Sequence, residues 1–213
     1  MASRIAKNQK KKHSRTRQIF DTLLFIIILG GIVLSRLIFW QAVRVEGHSM
    51  DPTLAEGQNL IVFNQNQIDR FDIVVATEND ENDKEKKIVK RVIGMPGDEV
   101  EFKQDTLYIN GKEVEEAYLA DYKAAFKADK LQNTYSYSKY FQSLAQASPA
   151  FTVNREGQAD FKVTVPDNEY YLLGDDRIVS KDSRDVGTFK AEQITGEVVL
   201  RFWPVNSFKL LHE

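Results

Sequence analysis

The rhythm of apolar and polar residues divides the chain into three stretches. Residues 1–19, "MASRIAKNQKKKHSRTRQI", are polar and basic, residues 20–40 are almost continuously apolar, and residues 41–213 alternate short apolar runs with turn signals. The uninterrupted stretch from Leu23 to Leu34 is short of the roughly 20 residues that cross about 30 Å of hydrocarbon. A helix from Phe20 to Trp40 makes up the length, because Arg36 near its outer end can extend its stem toward the headgroups and Trp40 suits the interface. A cleaved signal peptide shares this signature, but "LSRLIFWQAV" is bulky and lacks the small residues a cleavage site needs. The pattern therefore predicts an uncleaved anchor over 20–40. The basic leader, 1–19, then stays in the cytoplasm, and residues 41–213 lie outside the membrane.

The body reads mostly as strands. "NLIVFNQ" (59–65), "RFDIVVATE" (70–78), "KIVKRVIGM" (87–95), "DEVEFKQDTLYINGKEV" (98–114), "DFKVTVPDN" (160–168), "EYYLLGDD" (169–176) and "ITGEVVLRFWP" (194–204) are each short, apolar and bounded by turn residues. Asn110-Gly111, set between alternating residues, predicts a two-residue hairpin. From about Glu115 to Ala150 the chain becomes rich in Ala, Lys and Tyr at helical spacing, which predicts an inserted cap of one or two helices. The charged run "TENDENDKEKK" (77–87) reads as a solvated loop between two strands. The expected fold is mainly β, with a cap over 115–150 and one transmembrane helix in front.

Charge and composition narrow the function. The chain has 29 basic and 31 acidic residues, but seven basic and no acidic ones fall in the leader. The body is therefore acidic, which argues against a nucleic-acid partner. There is no cysteine, so disulfides, thiol nucleophiles and cysteine-ligated metals are all excluded.

Candidate chemistry begins at "EGHSMDPTL" (46–54), where Ser49 follows the apolar run. A serine hydroxyl attacks only when a base takes its proton. The chain offers three histidines. His13 lies in the leader, on the opposite side of the membrane. His48 adjoins Ser49, and neighbouring side chains in extended backbone point apart. His212 is penultimate, where chains fray. Lysine is the alternative, and Lys90 in "IVKRVIG" shares its strand face with Ile88 and Val92. Burial there would depress its pKa. At the ordinary value of about 10.4 only about one lysine in 2,500 is neutral at pH 7, while lowering it to about 8 costs roughly 3 kcal/mol, within reach of burial. The competing reading is a strand-edge lysine with its amine in water.

Four motifs taken together resemble bacterial type I signal peptidase, the membrane-anchored Ser-Lys protease, in its Gram-positive-like form. "GHSMDPTL" is similar to the family's S-M-x-P-T-L, "RFDIVVA" to G-D-I-V-V, "KRVIGMPGD" to K-R-x-x-G-x-P-G-D, and "GDDRIVSKDSRDVG" (174–187) to G-D-N-x-x-x-S-x-D-S-R-x-x-G. They occur in the family's order. The resemblance implies a signal-peptidase-like β core in which Ser49 is the nucleophile and Lys90 the general base. It makes Ser180 the hydroxyl that hydrogen-bonds the lysine amine, and Asp182 and Arg184 an ion pair bracing the loop, with Asp175 contributing to that network. The Ser49 backbone N–H fits the oxyanion donor. The family's second donor, a serine hydroxyl two residues before the nucleophile, is Gly47 here, which leaves that donor open between the Gly47 backbone, a water or none. Asp176 stands where the family usually has Asn.

The resemblance further implies signal peptides of exported preproteins as substrates, the lipid bilayer as a partner, transient contact with the secretion machinery, small substrate side chains beside the cut, and no metal or cofactor. Met50 and "RFWP" (201–204) could rim the site at the bilayer surface, although core packing is the commoner fate of such residues. Two rival readings stay in view: a self-cleaving Ser-Lys protein akin to bacterial SOS-response repressors, which have a soluble DNA-binding head, and a membrane-tethered binding module without catalysis.

Overall fold

The computed structural model describes residues 2–64, 67–79 and 84–211, in two units, Met1–Gln41 and Ala42–Glu213. The first is essentially one helix, α1 (Ala2–Ile38). Its portion Arg17–Arg36 is long and apolar enough to cross a membrane by length and composition, and the large apolar side chains from Ile19 to Leu34 are exposed. Lys, Arg and Gln are good helix formers, so the backbone runs helically through the leader without a break at residue 19. The helix stops at Ile38, and Trp40 opens a strand instead of closing the helix as expected.

Among the described residues twelve strands and three further α-helices follow. The strands are β1 (Trp40–Arg44), β2 (Asn59–Phe63), β3 (Ile73–Asn79), β4 (Glu85–Gly94), β5 (Glu99–Lys103), β6 (Thr106–Ile109), β7 (Lys112–Val114), β8 (Phe161–Thr164), β9 (Glu169–Leu173), β10 (Phe189–Lys190), β11 (Ile194–Trp203) and β12 (Lys209–Leu210). The helices are α2 (Ala120–Asp129), α3 (Lys139–Ala147) and the single turn α4 (Ser183–Val186). One sheet has the order β1-β2-β11-β3-β4-β9-β10, with β12 on β11; the other has the order β7-β6-β5-β8. The mainly β architecture matches the sequence reading, and segment 115–150, for which one or two helices were expected, holds α2 and α3.

Two turns show what local sequence can and cannot dictate. At the Asn110-Gly111 hairpin both residues take left-handed backbone, φ 52° and 77°, and Ile109 pairs with Lys112, as that dipeptide predicts. A second two-residue turn links Lys103 to Thr106 through Gln104 and Asp105, φ 46° and 70°, with no glycine. Here a distant segment helps hold the loop: the Asp105 carboxylate accepts the N–H groups of Phe151 and Thr152, and Asp160 accepts that of Gln104. The charged run also departs from its expected loop. Thr77, Glu78 and Asn79 pair with Lys87, Lys86 and Glu85 as the far ends of β3 and β4, and the Glu78–Lys86 pair sets opposite charges across the ladder. Residues 80–83 lie outside the described residues, as does His212.

The two sheets meet where β4 ends. A Cβ on Gly94 would fall 2.7 Å from Val100 Cγ2, 2.7 Å from Val165 Cγ2 and 2.9 Å from Tyr171 Cβ. All three neighbours are buried in a cluster with Ile93, Phe102, Leu107 and Leu173, so none has free space to move into. The Gly94→Ala variant should lose about 1–3 kcal/mol through overpacking, seen as a melting temperature lower by several degrees. An unchanged melting temperature would refute the close approach.

Candidate active site

Ser49 is displayed on the turn between β1 and β2 because its neighbours are pinned. Met50 and Leu54 are buried with Val45, Leu60, Val62 and Ile73, and the Leu54 N–H donates to the Met50 carbonyl. Met50 thus belongs to the core and not to a membrane-facing rim, whereas Trp203 is half exposed. Gly47 has a φ of 77°, left-handed backbone that glycine adopts at little cost and serine does not. His48 is engaged elsewhere than at Ser49: its Nδ1 lies 2.9 Å from Asp51 Oδ2, and its ring faces Tyr137 and Phe141 at 5.2 and 5.6 Å.

The lysine comes from β4, which lies inside the sheet between β3 and β9, with Lys90 opposite Val74. Because the strand is interior and both its faces are covered from Lys90 onward, the side chain is buried, only 4% exposed. The strand-edge alternative is thereby removed. Lys90 Nζ lies 2.8 Å from Ser49 Oγ, in hydrogen-bond contact. Burial pulls the amine below the ordinary lysine value; the carboxylates of Asp182 and Glu78 oppose the shift without cancelling it.

The loop after β9 closes the site. The Asp176 N–H donates to the Ser49 carbonyl (3.1 Å), and the Ser180 N–H donates to the Asp176 carbonyl (3.0 Å). Gly174 permits this proximity, since a Cβ there would sit 2.2 Å from Ser180 Oγ and 2.4 Å from the Ser49 carbonyl oxygen. Ser180 is brought to the site, but its Oγ is buried with no hydrogen-bond partner. The expected bond to Lys90 is therefore not made: the lysine amine contacts Ser49 Oγ, while Ser180 Oγ packs against Gly174.

Asp182 and Arg184 pair as expected, through Nε to Oδ1 at 2.8 Å and Nη2 to Oδ2 at 2.9 Å. They do so across a helix start and not along extended backbone: Asp182 caps α4, accepting the Arg184 N–H, and also accepts the Gly174 N–H. Burial raises the Asp182 carboxyl, but Arg184, the Gly174 N–H and the Lys90 charge outweigh it and hold the group below the usual range. Asp175 does not join this pair. It takes the Arg91 guanidinium in two bonds, Nε to Oδ1 at 2.9 Å and Nη2 to Oδ2 at 2.7 Å, and accepts the Thr53 hydroxyl. The reason is placement: Arg91 lies next to Lys90 on β4, and Thr53 follows Ser49 on its turn, so Asp175 ties β4, the turn and the loop together.

Sequence reasoning missed Arg91 and Thr53, although both lie inside quoted motifs. It also missed Arg177, fully buried against Glu116 and Thr152, and Tyr135, which reaches Asp176 from segment 115–150. No local signal marks those two pairings, whose members stand 61 and 41 residues apart. Among the described residues no group of three or more His, Cys, Asp or Glu could hold a metal.

With this geometry in place, the chain can be compared with known proteins. Residues 17–203 match the family described as "Signal peptidase, peptidase S26". A signal peptidase I of Streptococcus pneumoniae strain R6 is 58% identical over 190 residues, covering 86% of this chain and 92% of the relative. A signal peptidase IB of Staphylococcus aureus strain Mu50 is 39% identical over 170 residues, covering 78% of each. The solved structure of a signal peptidase I from Enterococcus faecalis V583 is 30% identical and covers 62% of this chain and 97% of its own, with a TM-score of 0.44. The chain belongs to the signal peptidase family, peptidase S26, and is a serine peptidase of that family.

Proposed function

We propose that the chain is a membrane-tethered endopeptidase that cleaves N-terminal signal peptides from exported preproteins with Ser49 as nucleophile and Lys90 as general base. The observation that carries this reading is the 2.8 Å contact between a buried lysine amine and the serine hydroxyl. Neutral Lys90 takes the Ser49 proton as Oγ attacks the scissile carbonyl carbon. The oxyanion that forms needs donors placed where its charge develops; the Ser49 N–H is one, with the Gly47 backbone as the second candidate. Collapse breaks the C–N bond, the leaving amine takes the proton back from Lys90, and the acyl group stays on Ser49. Lys90 then deprotonates a water, which attacks the ester and releases Ser49.

Asp182, Arg184, Asp175 and Ser180 position the loop in this reading and do not touch the substrate. The organisation that goes with it is a cytoplasmic leader (1–19), an anchor (20–40) and an extracytoplasmic catalytic body (41–213) interrupted by segment 115–150. The exposed apolar run of α1 supports tethering to the bacterial cytoplasmic membrane, where signal peptides of exported preproteins, the other partner in the reading, remain after export. The 58% identity to a signal peptidase I supports the substrate class.

Ser49→Ala and Lys90→Ala should each reduce cleavage of a preprotein by about a thousandfold or more, with the folded state retained; wild-type cleavage by either variant would remove the dyad. Activity should rise with pH as Lys90 loses its proton, and because burial lowers its pKa the rise should level off well below about 10.4. A profile still climbing at pH 10 would contradict a desolvated base.

A further inference from the structure

Segment 115–150 touches the site at two separate places. Tyr137 and Phe141 flank the ring of His48, next to Ser49. Tyr135, fully buried, donates its hydroxyl to Asp176 Oδ1 at 2.5 Å. This second contact reaches further, because Asp176 is a junction: its N–H holds the Ser49 carbonyl and its own carbonyl holds the Ser180 N–H. The segment is itself well anchored. Its Leu119, Phe126, Leu131, Tyr135 and Ala145 are buried in one cluster with Phe151, the residue that follows it, and Arg177, beside Asp176, is buried against its Glu116.

The Asp176 side chain has no place in the dyad chemistry, and it is unusual. It is completely buried, and its Oδ2 has no hydrogen-bond partner. Its Oδ1 also accepts the Ile178 N–H at 3.3 Å, and the ionisable groups facing it include Tyr122, Tyr135 and Tyr137 from the segment and Asp51 from the nucleophile turn. A buried carboxylate so placed is costly. Burial, with the Asp51 charge adding to it, pushes the carboxyl up to about 7.

We propose that segment 115–150 is a positioning arm of the active site: Tyr135 fixes the Asp176 carboxyl, and Asp176 through its main chain fixes the carbonyl of Ser49 and the N–H of Ser180. Tyr135 and Asp176 are positioning residues, acting through Ser49. The inference rests on Ser49 being the nucleophile, the reading given under the proposed function.

The test compares Tyr135→Phe, Asp176→Ala and Asp176→Asn in the full chain, with Ser49→Ala as the control, on a preprotein substrate. Tyr135→Phe should lower kcat by about tenfold, the scale of one lost hydrogen bond, with KM changed less than about threefold. Asp176→Ala should be at least as impaired. Asp176→Asn keeps an oxygen that accepts from Tyr135 and should stay within about threefold of wild type in kcat. A merely structural contact would lower the melting temperature of Tyr135→Phe and leave the kcat of the folded protein unchanged.

A second readout follows the sign of the carboxyl shift. A folded-state pKa raised from about 3.8 to about 7 contributes stability that is complete below about pH 4 and is lost as pH rises through 7. Asp176→Asn should flatten that part of the stability profile. Kinetics of Tyr135→Phe and Asp176→Ala within twofold of wild type would overturn the inference, as would an Asp176→Asn variant as impaired as Asp176→Ala. If Ser49→Ala retains cleavage, the dyad reading itself fails, whatever Tyr135 does.

Discussion

A lysine amine held out of water beside a serine hydroxyl is costly to build, and much of this structure serves to build it. Desolvating the amine takes free energy that an exposed lysine never spends, so the strand carrying Lys90 must be interior and covered on both faces. β4 meets that demand by lying between β3 and β9. The hydroxyl must arrive from elsewhere in the chain, and it does so on a turn whose flanking Met50 and Leu54 are locked into the core. Neither partner could be set alone, because the 2.8 Å separation joins a strand and a turn 41 residues apart.

The loop from Gly174 to Gly187 carries the constraint outward. Asp182 is close enough for its charge to favour the protonated lysine, yet Arg184 takes up much of that charge directly. The pair thus allows a buried carboxylate near the amine without restoring the lysine to its ordinary pKa. Asp175 performs a separate task by binding Arg91 and Thr53, which fixes the loop against both the lysine strand and the turn that carries Ser49. Removing one member of such buried pairs leaves an uncompensated charge, at a cost of about 3–5 kcal/mol. These ionic contacts hold geometry; their net contribution to stability is a different quantity. Segment 115–150 extends the arrangement, since Glu116 and Tyr135 both engage the stretch between Asp175 and Ser180.

Of the readings the sequence left open, the non-catalytic binding module is set aside by membership of a serine peptidase family. Within the site, the departure at Gly47 has a local physical cause. A left-handed φ suits glycine, so a serine there would need either strain or a different turn. The departure at Asp176 has no such local cause; its carboxyl accepts the hydroxyl of Tyr135, a residue that belongs to a different part of the chain.

The sequence by itself determined the elements: the apolar helix, the strand runs and the Asn110-Gly111 hairpin, which are properties of local periodicity, turn stereochemistry and residue type within a few neighbouring positions. Ser49 and Lys90 became the pair to test through the resemblance of four motifs to a known family. The tertiary structure decided what depends on distant partners. It turned Gln104 and Asp105 into a tight turn held by Thr152 and Asp160, extended β3 and β4 into a charged run that reads locally as loop, gave Asp175 to Arg91 in place of Arg184, and left Ser180 Oγ without the lysine. For the Gln104-Asp105 turn and for Asp175 the deciding contact is a hydrogen bond or ion pair between residues far apart in sequence, whose meeting no local pattern encodes.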